Sequence, residues 1–317
     1  MPKITACSTL AFSLSSLEVA LKHIAGYGFE FVEIAEMLSH SKHFPIDTVD
    51  PVTVRDLLEK YALKPVAANV SLAVLYTGQP GLLPPTVKNH SSAERQDVQK
   101  AKQQRAHYRL HVKDEAERYA ARARKLIDKM KTAGIPMLVS NVGRREHVED
   151  QDRDLKTTAA VINEQAEYAK QAGIRILLEM PHIWQPYYDA DQSKQMVTLL
   201  KSDNVGVLLD STHWHVSGYD IEDYVGFLAD RLWHVHLRDA AGKDSPGANC
   251  QLEKTPGRGE VDFGLLGETL DKYDYRGTVT LETEYKNYQD PAEVDKENTF
   301  ALDYLRSVGW QVKGRDS

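Results

Sequence analysis

Four side chains of metal-binding types stand at or near the ends of apolar segments in the C-terminal half of the chain. They are Glu179 in RILLEMP, Asp210 in VGVLLDS, His236 in LWHVHLRD and Glu282 in GTVTLETE, spaced 31, 26 and 46 residues apart. An unpaired carboxylate carried by an apolar segment is costly, and three of them together repel one another. A divalent cation removes both problems. This ligand set suits Mn²⁺, Mg²⁺, Co²⁺ or Fe²⁺, and Zn²⁺ tolerates it.

The surrounding sequence alternates short apolar runs with amphipathic segments of helical length. The predicted strands cover 3–9, 31–36, 65–71, 136–142, 175–181, 205–211, 232–239 and 277–284. The predicted helices cover 15–26, 52–62, 113–133, 154–172, 191–201, 220–230, 262–273 and 291–308. Near-continuous apolar runs are typical of parallel strands covered on both faces. Eight such units predict an α/β fold, a single (β/α)8 TIM barrel. A doubly wound open sheet is the alternative, but no G-x-G-x-x-G follows the first strand.

A barrel would give the four ligands a common location. Catalytic groups of such barrels come from the C-terminal ends of the strands, and strands five to eight place Glu, Asp, His and Glu there. A single acid at a strand end is more often a helix N-cap or an ion-pair partner. Four ligand types on four successive strands favour the metal site over that interpretation.

One segment interrupts the alternation of strands and helices. We predict one domain over residues 1–317, with an insertion after strand three at about 76–112 that contains a Pro/Gly-rich loop and a polar, basic helix. A solvated surface helix is the simpler interpretation. Because the βα loops of a barrel lie on its catalytic face, a lid or a subunit contact is the functional one.

Composition argues against several classes of protein. The 317-residue chain has a net charge of −7, whereas nonspecific nucleic-acid binders usually present a basic face. No apolar run reaches the ~20 residues that span a bilayer, and the N-terminal residues lack the apolar region of a signal peptide. The two cysteines, Cys7 and Cys250, predict no disulfide framework and fit a reducing cytoplasm. We expect a cytoplasmic protein that acts on a small molecule, without nucleic-acid or membrane partners.

Two histidines follow the predicted ligands at short spacing. His213 comes three residues after Asp210, and His182 comes three residues after Glu179. Each is a candidate for hydrogen bonding to substrate or for proton transfer. A structural histidine in each position is the alternative.

Three further residues are candidates for the substrate pocket. Arg238, two residues after His236, points to the same side of its strand and is predicted to hold a substrate oxygen or carboxylate. Glu33, taken as the end of the second strand, is predicted to line the pocket. Trp184 is predicted to form an apolar wall for a sugar, although core packing explains it almost as well.

These motifs resemble the xylose-isomerase-like TIM-barrel superfamily, often described as sugar phosphate isomerases/epimerases. The resemblance rests on GFEFVEI, LLEMPH, DSTH, HVHLRDA, PGRGEVDF and LETEY and extends over nearly the whole chain, with the insertion as the main departure. It implies that His213 and Arg238 contact substrate. It also implies one divalent metal ion, often Mn²⁺, bound by Glu179, Asp210, His236 and Glu282.

Membership of this superfamily leaves the reaction open, because its members include keto-sugar 3-epimerases, inosose dehydratase, subunits of C-glycoside deglycosidases and a three-zinc abasic-site endonuclease. The nuclease needs further histidines after strands three, four and seven. The corresponding segments NVSLAV, SNVGRR and AAGKDSPGANCQ contain no histidine. We therefore expect no phosphodiester cleavage of that kind.

Most other members begin by removing a proton next to a carbonyl, and the metal stabilises the enediolate as a Lewis acid. Glu179 and Glu282 enter from separate strands, so one can remove the proton and the other return it. This predicts a sugar or cyclitol isomerase or epimerase. If a leaving group lies β to the carbonyl, the same step gives a lyase of the dehydratase or deglycosidase type, with His182 or His213 as the acid. We expect a homo-oligomer, with a second kind of subunit as the alternative, and a non-catalytic binding protein as the remaining class.

Overall fold

Eight parallel strands close into a barrel. The computed structural model describes residues 2–37, 41–76, 105–243 and 250–312. Each strand pairs in parallel with the next, and the eighth pairs with the first, which completes the barrel. The predicted TIM-barrel fold is confirmed. In chain order the strands are β1 (Ala6–Ser8), β2 (Phe31–Met37), β3 (Lys64–Val70), β4 (Met137–Ser140), β5 (Arg175–Glu179), β6 (Val205–Asp210), β7 (Leu232–Leu237) and β8 (Thr278–Leu281).

Helices surround the barrel, and the eight predicted ones are present with ends within three residues of the prediction. They are α1 (Leu17–Gly26), α2 (Pro51–Lys60), α3 (Lys113–Ala133), α4 (Gln151–Gln171), α5 (Ala190–Leu199), α7 (Ile221–Leu228), α8 (Phe263–Lys272) and α9 (Pro291–Ser307). A short additional helix, α6 (Ser211–Ser217), was not predicted. No helix within the described ranges is both long and apolar enough to cross a membrane.

Local sequence determines where these helices begin and end. Asp50 and Asp290 each precede a proline at the start of a helix, and their carboxylates accept hydrogen bonds from backbone N–H groups of the first turn. This is a favoured helix start. At the other end of α3, Gly134 adopts a left-handed conformation with φ 75°, which ends the helix and turns the chain towards β4.

The alternation of side chains along the strands determines which residues face the barrel interior. Ala6, Val66, Ala67, Met137, Val139, Leu177 and Leu208 form an apolar cluster of their own, separate from the larger core that the helices help to bury. Because strand side chains alternate with a period of two, Glu179 lies on the same side as Leu177, and Asp210 on the same side as Leu208. The predicted metal ligands therefore form a polar layer next to this cluster, at the C-terminal ends of the strands.

Several elements depart from the sequence prediction. The predicted first strand is split, because Lys3–Ile4 pairs with Gln311–Val312 outside the barrel, while β1 lies within it. An unpredicted antiparallel hairpin joins Asp239–Ala241 to Gln251–Lys254. At the ends of the insertion, the short strands Val74–Tyr76 and Arg105–His107 pair with each other. The polar helix predicted within the insertion falls mostly outside the described residues.

Candidate metal centre and active site

Four buried side chains converge at the C-terminal ends of β5 to β8. Glu179, Asp210 and His236 offer ligand atoms that lie within 4.8 Å of one another. Glu282, one residue beyond β8, brings Oε2 to 3.2 Å from Nδ1 of His236. Each of the four is at most 5% exposed. The structure thus brings together the residues that the sequence assigned to a metal site.

A cavity of about 310 Å³ opens above these residues. Its wall includes Glu179 and Glu282 together with three of the predicted pocket residues, His182, His213 and Arg238. Trp184 also lines the cavity, and the guanidinium of Arg144 lies 5.1 Å from its ring centre. The cavity therefore combines carboxylates, imidazoles and two guanidinium groups with one aromatic wall.

Asp210 uses its two carboxylate oxygens for different purposes. Oδ1 accepts hydrogen bonds from the backbone N–H groups of Thr212, at 2.6 Å, and His213, at 3.2 Å, so it caps α6. Oδ2 faces the site, 2.9 Å from Arg238 Nη2 and 4.0 Å from His236 Nδ1. The N-cap interpretation of this acid and the ligand interpretation therefore describe different atoms of one side chain. Burial acts to raise the pKa of Asp210, but Arg238 and the nearby histidines outweigh it and hold the pKa well below its usual range.

The imidazole of His236 is oriented by a carboxylate on β2. Its Nε2 lies 2.9 Å from Glu33 Oε2, while Nδ1 is buried, makes no hydrogen bond and faces the carboxylates of Asp210 and Glu282. Burial acts to lower the pKa of His236, but Glu282 and Glu33 outweigh it and raise the pKa well above its usual range. A histidine that donates one ring N–H to a carboxylate and turns the other nitrogen inward is the common arrangement of a metal-binding histidine.

The prediction that Glu33 ends the second strand is wrong. β2 continues to Met37 because the apolar residues Ile34 and Ala35 extend it, so Glu33 lies within the barrel rather than at its rim. It is 0% exposed and is not among the residues that line the cavity. It lies behind His236, and its Oε2 is also 3.3 Å from His234 Nε2. This position suits the orientation of a ligand, not contact with substrate.

Arg238 links three carboxylates, one at the end of β6 and two in the segment after β8. Its Nη2 donates to Asp210, its Nη1 lies 3.3 Å from Glu284 Oε2, and its Nε lies 3.7 Å from Glu282 Oε2. The contact with Asp210 agrees with the prediction that Arg238 and His236 point to the same side of β7. Burial acts to lower the pKa of Arg238, but the surrounding acids raise it above its usual range, so this side chain is a fixed positive charge in the cavity wall.

The two candidate histidines lie against Glu179. Nε2 of His213 is 3.5 Å from Glu179 Oε1, and Nε2 of His182 is 3.7 Å from Glu179 Oε2. The two rings are 3.9 Å apart, centre to centre. Burial lowers the pKa of His213 to about 4 and that of His182 well below its usual value, so both imidazoles are neutral at pH 7. Burial, with the charges of Asp210 and Glu282, raises the pKa of Glu179 to about 8.

Two contributors to the site were not predicted. Asn69, near the end of β3, donates from Nδ2 to Glu282 Oε1 at 2.9 Å. Glu284 contacts Arg238, as described above. A sequence signal exists for Glu284, since it lies two residues after Glu282 and shares its side of the chain. For Asn69 the signal is weaker, since it is one amide in the apolar part of its strand.

This arrangement fits a divalent cation. The buried, unpartnered Nδ1 of His236 points at two carboxylates, and the separations of 3.2 and 4.0 Å are near the roughly 3–3.5 Å expected between ligand atoms about 2.1 Å from a tetrahedral ion. Two other donor groups occur in the described part of the chain, Glu33–His234–His236 and Glu179–His182–His213. Each offers a single carboxylate. The third group, Glu179–Asp210–His236, offers two carboxylates, and Glu282, with Oε2 3.2 Å from His236 Nδ1, adds another beside it, so this site is the better match for a hard cation.

Comparison with known proteins identifies the family. Residues 21–307 match the xylose isomerase-like TIM barrel, and the chain belongs to this family. It is 26% identical over 152 residues to an inosose dehydratase of Clostridium perfringens, covering 44% of this chain and 50% of that protein. It is 24% identical over 177 residues to a D-psicose 3-epimerase of Ruminiclostridium cellulolyticum, covering 50% of this chain and 57% of that protein. The chain spans about half the length of these curated relatives, both of which are enzymes.

A solved structure extends the likeness to the whole barrel. The crystal structure of IOLI protein with a bound zinc atom superposes with a TM-score of 0.70, covering 96% of this chain and 98% of that one at 17% identity. At this identity the comparison supports the fold, which agrees with the closed barrel described above.

Proposed function

We propose that this protein is a divalent-metal-dependent isomerase or epimerase of a sugar or cyclitol. The observation that carries the proposal is the convergence of three carboxylates and one imidazole beneath a cavity of about 310 Å³. That volume is at the lower end of the range of about 300–1,000 Å³ for small-molecule pockets. The similarity to a D-psicose 3-epimerase supports this choice of reaction.

Glu179, Asp210, His236 and Glu282 would hold the metal, with Mn²⁺ as the proposed native ion. A divalent cation held there supplies charge neutralisation for the carboxylates and polarises a substrate carbonyl as a Lewis acid. The zinc atom in the structure of IOLI protein, which has the same fold, supports a divalent ion. We also propose that the protein is cytoplasmic and homo-oligomeric.

The proton transfers are assigned to the two glutamates. Glu179 and Glu282 both face the cavity from strands that are separated by β6 and β7, so they approach a bound sugar from different directions. One removes the proton next to the carbonyl, and the other returns it. Asn69 holds Glu282 through a 2.9 Å hydrogen bond, and Arg238 holds a substrate oxygen. His213 and His182 flank Glu179 and hydrogen-bond to substrate hydroxyls.

A lyase is the second candidate, and the two histidines beside Glu179 favour it. One of these imidazoles can take up the proton that Glu179 removes from the substrate and, as the imidazolium, pass it to the departing hydroxyl, which leaves as water. The similarity to an inosose dehydratase supports this alternative. Both reactions begin with proton removal next to a carbonyl. In the isomerase the proton is then returned to the sugar, whereas in the lyase a hydroxyl group leaves.

Proton exchange in D₂O tests the proposal. The Mn²⁺-loaded protein is incubated with D-fructose, D-psicose and an inosose, and the products are followed by NMR. We expect deuterium at the carbon next to the carbonyl, with the carbon skeleton and hydroxyls intact. Glu282→Gln should lower the exchange rate by about 10²–10⁴-fold, whereas Glu268→Gln on the exposed face of α8 should leave it unchanged.

The products separate the two candidates. An unsaturated product that has lost water or a larger group would assign the protein to the lyases. Absence of exchange with every compound, although the metal is bound, would refute the shared first step.

A further inference from the structure

A second cavity, of about 420 Å³, adjoins the first on the catalytic face. Glu253, Glu284 and Lys286 line both cavities. Since the same three side chains belong to both walls, they form the partition between the two spaces. The outer cavity lies between the loop that follows β8 and the strand Gln251–Lys254.

The partition consists of ion pairs that a ligand can displace. Nζ of Lys286 lies 3.0 Å from Glu284 Oε1 and is also paired with Glu253. The side chains of Lys286 and Glu253 are 32% and 41% exposed, and that of Glu284 is 10% exposed. An ion pair as exposed as that of Lys286 and Glu253 contributes little to stability, so this side of the partition is the part that a ligand can open. A ligand that is longer than one ring can therefore extend from the first cavity into the second.

The chemistry of the outer cavity suits a neutral sugar ring. Tyr285 and Tyr288 line it, with ring centres 5.2 Å apart, and aromatic faces commonly pack against sugars. Its other lining residues supply hydroxyl, amide and charged groups for hydrogen bonds. The charges balance, so the space does not select an anionic group. Three cations and three anions line it: Lys254, Arg258, Lys286, Glu253, Glu284 and Glu297.

The partition is also connected to the reacting end of the first cavity. Glu284 contacts Lys286 through Oε1 and Arg238 through Oε2. Arg238 in turn donates to Asp210. Displacing Lys286 would remove a cation from Glu284, so occupation of the outer cavity would change the charge beside the guanidinium that we assign to substrate binding.

We propose that the natural substrate is a two-ring glycoside. Its reacting sugar lies against Glu179 and Glu282, and its second, neutral sugar ring lies in the outer cavity beside Tyr288. This inference rests on the proposed function, since it names the substrate class of the same site.

The test compares one-ring and two-ring ketoses. Rates of deuterium exchange by the Mn²⁺-loaded protein are measured for D-fructose and for isomaltulose, a glucosyl-fructose. We expect kcat/KM to be at least about tenfold higher for isomaltulose, because its second ring makes additional contacts in the outer cavity. Tyr288→Ala, which removes the aromatic wall, and Asn287→Trp, which fills the outer cavity from an exposed position, should each lower this preference by about the same factor. Tyr273→Ala, at a 42% exposed tyrosine outside both cavities, should not change it.

Saturation-transfer NMR adds a readout that does not depend on turnover. Protons of the glucosyl ring should receive saturation from the wild-type protein and lose it in Asn287→Trp. Equal kcat/KM for the two ketoses, or a preference that neither variant alters, would overturn the second subsite and leave the proposed function intact. Exchange with an inosose but with neither ketose would overturn the two-ring substrate alone, whereas exchange with none of these compounds would refute the proposed function and the two-ring substrate with it.

Discussion

Replacing Glu33 by glutamine should weaken metal binding although Glu33 does not belong to the four-ligand group. The carboxylate is fully buried, and its Oε2 is 2.9 Å from Nε2 of His236. Glutamine keeps the volume but removes the negative charge that orients the imidazole and makes Nδ1 a better electron donor. The change therefore acts on the metal through a single ligand.

Two independent estimates give the size of the effect. A hydrogen bond to a charged group contributes about 1.5–3 kcal/mol net. Loss of a partner behind a metal ligand typically costs about 10–100-fold in affinity, which corresponds to about 1.4–2.7 kcal/mol. Both estimates predict that the Kd for Mn²⁺ rises by one to two orders of magnitude in Glu33→Gln.

Calorimetric titration of Mn²⁺ into the metal-free wild-type and Glu33→Gln proteins measures the Kd for Mn²⁺ directly. Both titrations are made at the same pH and well below the unfolding temperature of either protein. Glu18→Gln is the matched control, because Glu18 is 48% exposed and pairs with Lys60 on the surface. Its Kd should equal that of the wild type. Circular dichroism verifies that each variant is folded before titration.

A folded Glu33→Gln protein whose Kd for Mn²⁺ changes by less than about threefold would contradict this prediction. That difference is well under the 1.4 kcal/mol of a tenfold change. It would mean that the hydrogen bond between Glu33 and His236 does not support the ligand geometry.

Three further predictions concern positioning and stability. Asn69→Ala should lower the exchange rate by about 10–100-fold, because Glu282 loses the contact that fixes it, and a kcat within about twofold of wild type would contradict this role. Burial raises the pKa of Glu36 to about 8, partly offset by Arg122. The folded state therefore keeps a proton that the unfolded chain releases, and stability falls as pH rises from about 4.5 to about 8. The free energy of unfolding of Glu36→Gln should therefore rise relative to that of the wild type by up to about 1.4 kcal/mol per pH unit in that window. Denaturation midpoints of both proteins across this pH range measure the difference, and a difference that does not change with pH would contradict the prediction. Asp239 accepts hydrogen bonds from the N–H groups of residues 240, 257, 259 and 261, so Asp239→Ala should destabilise the fold by about 2–4 kcal/mol in urea denaturation, and a loss below about 1 kcal/mol would be inconsistent with this anchoring.

The sequence located Glu179 and Asp210 correctly because each closes a continuous apolar run. For these residues the end of the run and the end of the strand coincide, and the alternation of side chains then fixes the direction in which the acid points. Glu33 does not end an apolar run, since the strand continues past it to Met37. Taking this charge as the end of the second strand was therefore wrong, and the structure places it inside the barrel, in contact with His236.

Contacts between distant parts of the chain were beyond prediction. Asn69 and Glu282 are 213 residues apart, and neither local propensity nor periodicity relates them. The outer cavity depends in the same way on a hairpin that pairs residue 239 with residue 254. The missed helix α6 has a different cause. It is only seven residues long, STHWHVS, and it is rich in β-branched and aromatic residues, which have low helix propensity. The cap supplied by Asp210 and the turn at Gly218 stabilise it.

Anomalous diffraction from crystals of the Mn²⁺-loaded protein locates the bound metal directly. We expect one strong manganese peak within coordination distance of Glu179, Asp210, His236 and Glu282. A peak at Glu33–His234–His236 or at Glu179–His182–His213, or the absence of any peak at saturating Mn²⁺, would contradict it.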